Sequence, residues 1–178
     1  MPDTGDAVLQ DDQGRAVLRF ERVLAHPPER VWRALTEPDE LWGWHPTPAE
    51  FQPAAGGTVR YVPGEGVPAM PDGEVTDYDP PRLLGHTWGD DHLRWELRPH
   101  DEGCLLVLIH TFDDRFKAAR DAAGWHLCLD ALASSLEGAK AASTGDGERI
   151  PGDWRELNRA YERRFGIPPE KATPPPAL

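Results

Sequence analysis

Cysteine is nearly absent from this chain: its 178 residues include two, Cys104 and Cys128, each inside an apolar stretch. So few thiols leave no disulfide framework to expect, and both read as reduced core residues of a cytoplasmic protein. Long hydrophobic runs are missing too, which excludes a membrane-spanning helix, and the opening MPDTGDAVLQDDQG has neither the basic start nor the apolar run of a signal peptide. Positive charge is scarce, with 19 Lys and Arg against 31 Asp and Glu for a net charge of −12. That surplus repels phosphate backbones and anionic lipid surfaces, so neither nucleic acid nor a membrane is an expected partner. The sequence has no nucleophile elbow, no HExxH, no phosphate-binding loop and no dinucleotide fingerprint. Seven His and many carboxylates occur, but no pair has a spacing that demands acid-base work. No catalytic residue, metal site or cofactor is therefore assigned.

Proline is abundant at 19 copies, yet none lies between Pro99 and Pro151, so that interval should hold the longest uninterrupted elements. The apolar share is in the ordinary globular range, and the length suits one domain with a real core. AVLRFERVLA, from Ala16 to Ala25, is rich in strand formers. HPPERVWRALTEP reads as a helix with Pro28 in its first turn, Val31, Trp32 and Leu35 on one stripe, and Pro38 at its end. PDELWGWHP reads as a second short helical piece. Short strands follow at AEFQP, GTVRYV, GEVTDY, RLLGHTW, HLRWELRP and CLLVLIHTF, separated by Gly, Pro and Asp turn signals. Sequential strands favour an antiparallel sheet with helices on one face, an α+β fold. In HLRWELRP, Leu93, Trp95 and Leu97 point one way, while Arg94, Glu96 and Arg98 face water. CLLVLIHTF is apolar on both faces, and the direction of its even set, Cys104 to Phe112, stays open on pattern alone.

GWHLCLDALASSLEG, from Gly124 to Gly138, lies in the last long helix. At 100° per residue, Trp125, Cys128, Leu129, Leu132, Ala133 and Leu136 share one sector, with His126 and Asp130 at its border and close enough to touch. Cys128 has apolar neighbours and no cation to stabilise a thiolate, so this face reads as packing. Beyond it, residues 141–150 read as a small, polar linker. Residues 151–166 read as an amphipathic helix: Trp154, Leu157, Tyr161 and Phe165 form its stripe, Asp153 its N-cap and Gly166 its stop. Its partner is the domain itself or a second copy in a homodimer. Residues 1–14 are expected to be flexible, and the Pro-rich tail 167–178 frayed and extended.

FERVLAHPPERVWRALTEPDELWGW, the turn DYDPPRLLGHTW, the strands HLRWELRP and CLLVLIHTF, and GWHLCLDALASSLEG follow one another in an order that resembles a known family. These proteins are grouped with the activator of the ninety-kilodalton heat-shock chaperone's ATPase, within the wider SRPBCC or START-like superfamily. The resemblance spans about residues 15–140. It implies a helix-grip (Bet v 1-like) fold, in which a curved antiparallel sheet wraps a long C-terminal helix around an apolar cavity. By that resemblance Trp95, Leu97, Leu106, Leu108, His110 and Phe112 point inward. Leu84, His86 and Trp88 join them, Trp125, Leu129 and Leu132 face the sheet from the helix, and Trp42, Trp44 and His45 lie at the mouth. The expected ligand is a small hydrophobic or aromatic molecule, which would also give the buried imidazoles hydrogen-bond partners. Two alternatives stay open: a polyketide cyclase or aromatase-like enzyme assisted by His110, and a co-chaperone or protein-interaction module. Against the latter, the eukaryotic namesake also uses a separate N-terminal domain, whereas about fourteen polar residues precede the first strand here.

Overall fold

The computed structural model describes residues 5–62, 69–138 and 152–174. Eight strands form one antiparallel sheet in the order β1-β2-β8-β7-β6-β5-β4-β3. They are β1 (Val8–Asp12), β2 (Arg15–Leu24), β3 (Ala49–Phe51), β4 (Thr58–Tyr61), β5 (Gly73–Asp79), β6 (Leu83–Trp88), β7 (Asp91–His100) and β8 (Gly103–Phe112). Two helices, α1 (Pro28–Thr36) and α2 (Pro38–Leu41), connect β2 to β3. After β8 a single 3-10 turn leads into the 19-residue α3 (Ala118–Leu136), and α4 (Gly152–Phe165) follows. This is the helix-grip arrangement, a curved antiparallel sheet closed by a long C-terminal helix.

Register settles the face that pattern left open. The even set of β8 points inward: Cys104, Leu106, Leu108, His110 and Phe112 are all fully buried. Two transverse rows result. Leu84, Trp95, Leu108 and Phe20 lie side by side across four strands, and next to them run His86, Leu93, His110 and Leu18. Above these rows, α3 buries Ala118, Ala122, Trp125, Leu129 and Leu132. Alanines at one-turn spacing let its backbone approach closely, while Trp125 fills the wider space beyond.

Residues 8–12, expected to belong to a flexible terminus, instead form β1, paired with β2 from Val8↔Arg19 to Asp12↔Arg15. The cause is the turn. Gln13 and Gly14 have φ of 52° and 85°, the pair of positive values that a two-residue type I′ hairpin requires, and Gly14 adopts its value without a Cβ penalty.

The stripe of α4 is covered by its own domain. Trp154, Tyr161 and Phe165 are buried and Leu157 is partly so. The Tyr161 hydroxyl stands 2.9 Å from Nδ1 of His126 on α3 and accepts the backbone N–H of Ala7 at 3.2 Å. His126 also meets Asp130, Nε2 to Oδ2, at 3.6 Å, the border contact that helical spacing implied. Gly166, at φ 63°, ends the helix as expected, and the N–H of Ile167 closes the terminus on the Glu162 carbonyl. The start of α4 is at Gly152, and the expected cap at Asp153 lies outside the described side chains. The tail departs from its expected fraying. Ile167 is buried, and the Thr173 N–H donates to the carbonyl of Phe116, so the chain is tied to the domain at Ile167 and again at Thr173, while residues 175–178 lie outside the described residues. The expected linker at 141–150 lies outside the described residues.

Candidate functional site

Aromatic side chains from four parts of the chain meet around Trp125. Its ring lies 5.6 Å from His45, 5.6 Å from Trp95, 5.5 Å from Trp88 and 6.2 Å from His110. Trp44 extends the group, edge-on to Trp95 at 5.6 Å. Most of these contacts are steeply tilted or edge-to-face, the geometry that ring quadrupoles favour. Leu84, Leu97, Leu106, Leu108, Leu129 and Leu132 are buried in the same core, and Phe112 lies 4.8 Å from His110. Trp42 is not among them. It is 43% exposed, because α2 ends at Leu41 and the following turn sends Leu41 and Trp44 inward and Trp42 out.

Two of the three buried imidazoles are partnered by tryptophans. Trp125 Nε1 donates to His110 Nδ1 at 3.1 Å, and Trp95 Nε1 points to His86 Nε2 at 3.4 Å. Each donation fixes a tautomer, since a neutral ring accepts on one nitrogen and donates on the other. His86 then carries its proton on Nδ1, beside the Tyr61 hydroxyl at 3.1 Å and the Thr87 carbonyl at 3.2 Å. His110 carries its proton on Nε2 and donates it to Asp91 Oδ2 at 2.8 Å. His45 accepts the Thr47 N–H on Nδ1 at 3.0 Å. Burial drives the His45 pKa down to about 3, helped by the neighbouring His86, and drives His86 down to about 4. Both are neutral rings at neutral pH.

Asp91 heads a charged cluster at the edge of this core. Burial by itself raises a carboxyl pKa, but hydrogen bonds from His110 and Lys117, with the charge of the Lys117 ammonium, outweigh it and hold Asp91 below the ordinary carboxylate range. Lys117 Nζ is 2.6 Å from Asp91 Oδ2 and 3.9 Å from Asp121, and Arg120 Nε donates to Asp121 at 2.8 Å. Asp91, His110 and Asp121 bring their donor atoms within 4.8 Å of one another. The trio does not fit a metal ion. The Trp125 N–H on Nδ1 forces the His110 proton onto Nε2, the nitrogen that would ligate, and the Lys117 ammonium already neutralises Asp91.

Beside this cluster is a cavity of about 280 Å³ lined by Pro46, Trp88, Arg120, Asp121, Gly124, Trp125, Cys128 and Trp154. It lies where α3 passes between the end of β6 and the start of α4. Of the residues anticipated from sequence, Trp88 and Trp125 line it, and Trp95, His45 and His110 back those two rings. Trp154 was legible as part of an amphipathic stripe but not as a wall. Gly124 shows in the sequence only as a helix-weakening residue, because it contributes to the wall by the absence of a side chain: a Cβ there would meet nothing within 4 Å. Burial pushes the Cys128 thiol up to about 12, so the sulfur in the wall is an uncharged, unreactive surface.

No helix among the described residues is long and apolar enough to cross a membrane. Solved structures share the fold. A conserved protein of unknown function from Enterococcus faecalis superposes with a TM-score of 0.70 at 22% identity, covering 90% of each chain. CalU16 from Micromonospora echinospora does so with 0.68 at 16% identity, over 91% of this chain and 97% of its own. A Bordetella parapertussis protein does so with 0.66 at 27% identity, over 90% of each. No curated protein sequence matches the chain. The family described as Activator of Hsp90 ATPase homolog 1-like protein matches residues 25–137, from the approach to α1 through the end of α3, and the chain belongs to that family.

Proposed function

We propose that this protein binds a small aromatic molecule in the cavity between Trp88, Trp125 and Trp154. The observation that carries this reading is the wall itself: three indoles, a proline ring and an unionised thiol face a space that a helix glycine leaves empty. A volume of about 280 Å³ falls just below the usual small-molecule range of about 300–1,000 Å³. That size favours a molecule of one or two rings over a lipid or an extended polyketide. Binding is favoured over catalysis, because His110, the base a cyclase-like reaction would use, is fully buried with both ring nitrogens engaged. Localisation in the cytoplasm remains part of this proposal, resting on the unpaired thiols. The α4 stripe that left a homodimer open is covered within the chain.

Gly124 supplies the test. Glycine inside a helix costs about 0.5–1 kcal/mol relative to alanine, so Gly124→Ala should raise the melting midpoint. Gly124→Leu should fill the cavity. Titrating toluene or indole into the wild type should perturb tryptophan emission saturably, and Gly124→Leu should abolish that response while the protein stays folded. Saturable binding that survives undiminished in folded Gly124→Leu would place the ligand elsewhere.

A further inference from the structure

The walls of the cavity differ in how firmly they are held. Trp125 donates to His110 and is ringed by His45, Trp88 and Trp95. Trp88 lies in β6, opposite Asp91 of β7, with its ring against His110. Trp154 is the contribution of α4, and α4 is tied down mainly at its other end. Among the described residues its polar ties to the domain run from Tyr161 onward: the Tyr161 hydroxyl to His126 and Ala7, Arg164 to Asp6 at 2.7 Å, and the Phe165 carbonyl accepting from Arg115 at 3.2 Å. Buried Tyr161, Phe165 and Ile167 reinforce that end. The two turns before Tyr161 have a weaker hold. Leu157 is only partly buried, and Asn158 donates within the helix to Glu162 while its Oδ1 is buried without a partner among the described residues. That buried acceptor is a cost of docking which opening to water relieves. Trp154 itself faces the cavity, and a side chain beside empty space forgoes the contacts that atoms there would supply.

We infer that the ligand also clamps the start of α4: a molecule in the cavity packs on Trp154 and holds the two turns between Trp154 and Tyr161 against the domain, and those turns open more readily without it. This rests on the cavity being a binding site, as proposed above. A 14-residue helix is marginal alone in water, so α4 persists where its stripe is covered and frays where the cover is thin. Opening carries Trp154 away and dismantles one wall, so the ligand binds the closed form better than the open one. That difference in affinity is what shifts the equilibrium. The coupling is reciprocal, and whatever pulls the start of α4 off the domain expels the ligand.

Amide hydrogen exchange of the full chain, read in proton–nitrogen correlation spectra with and without toluene, tests this. Without toluene the N–H groups of Glu156, Leu157 and Asn158 should exchange faster than those of Leu106 and Leu108 in β8, because a local opening releases them. Toluene at ten times its Kd should slow them about tenfold, the factor expected when the open form does not bind. Trp154→Ala removes the clamped ring, leaves Tyr161 to hold α4, and should lose that protection at toluene concentrations scaled to its own Kd. If the variant does not fold or does not bind toluene, the wild-type rates decide alone. Unchanged wild-type rates at Glu156, Leu157 and Asn158 while toluene saturates the tryptophan emission would overturn the inference and leave the cavity reading intact. So would exchange no faster than in β8, or undiminished protection in Trp154→Ala. An absence of saturable toluene binding would overturn the two together.

Discussion

Trp125→Ala is expected to lower the free energy of unfolding by about 3–5 kcal/mol, the range for deleting a large buried aromatic side chain. Trp125 is 2% exposed and touches His45, Trp88, Trp95 and His110. Its removal therefore merges the cavity with a new void and leaves His110 Nδ1 without its donor. Neighbouring rings are held by β7, β8 and the sheet register, so the space cannot collapse easily. Trp125→Phe separates the two effects. It keeps most of the ring packing and loses the N–H, and should cost about 1–3 kcal/mol. Urea unfolding of both variants measures the difference, and a loss below about 1 kcal/mol for Trp125→Ala would show that this ring does not hold the core together.

The second large effect is acid sensitivity between about pH 6.5 and 4. A histidine whose folded pKa is depressed binds its proton more readily in the unfolded chain. Stability is then present above the unfolded value near 6.5 and is lost as pH falls toward the folded value. His45, held down to about 3, and His86, held down to about 4, both act in this direction. In that window unfolding takes up about two protons, and each ring contributes a loss on the order of 2 kcal/mol at pH 5 relative to pH 7. His92 and His126, also lowered chiefly by burial, act in the same sense. Asp91 adds to the loss at lower pH: its depressed folded pKa contributes stability above the ordinary carboxylate value that disappears as pH falls through the folded one. His45→Asn keeps an acceptor for the Thr47 N–H and cannot titrate, so its unfolding free energy should fall less steeply with pH by about one proton's worth. Equal slopes in wild type and His45→Asn would show that His45 does not titrate with folding.

Strong periodicity makes much of this fold readable from the sequence. Pro28, Val31, Trp32 and Leu35 describe α1, and the alternation of Leu93, Trp95 and Leu97 describes the buried face of β7. β8 was opaque for a physical reason: Val107 is buried on the opposite face from Leu106 and Leu108, so apolar character there does not alternate. β1 was missed because most of its side chains face water, and its one local signal was the Gln13-Gly14 turn. Trp42 shows the limit of counting aromatics, since a tryptophan in a short turn has no periodic context to say which way it points. The cavity was least legible. Its walls come from β6, the segment after α2, α3 and α4, and no spacing within one element relates Trp88 to Trp154. Gly124 is visible in sequence as a helix-weakening residue, but its purpose becomes clear only when the tryptophans around the gap are in place.

Crystals soaked with bromobenzene would test the central claim most directly, because the anomalous signal of bromine marks the position of a small aromatic ring without ambiguity. The account predicts one dominant bromine site inside the cavity, in contact with the Trp88, Trp125 and Trp154 rings and next to Gly124, and its loss in Gly124→Leu. An empty cavity at saturating bromobenzene, or a dominant bromine site remote from these three rings, would contradict it.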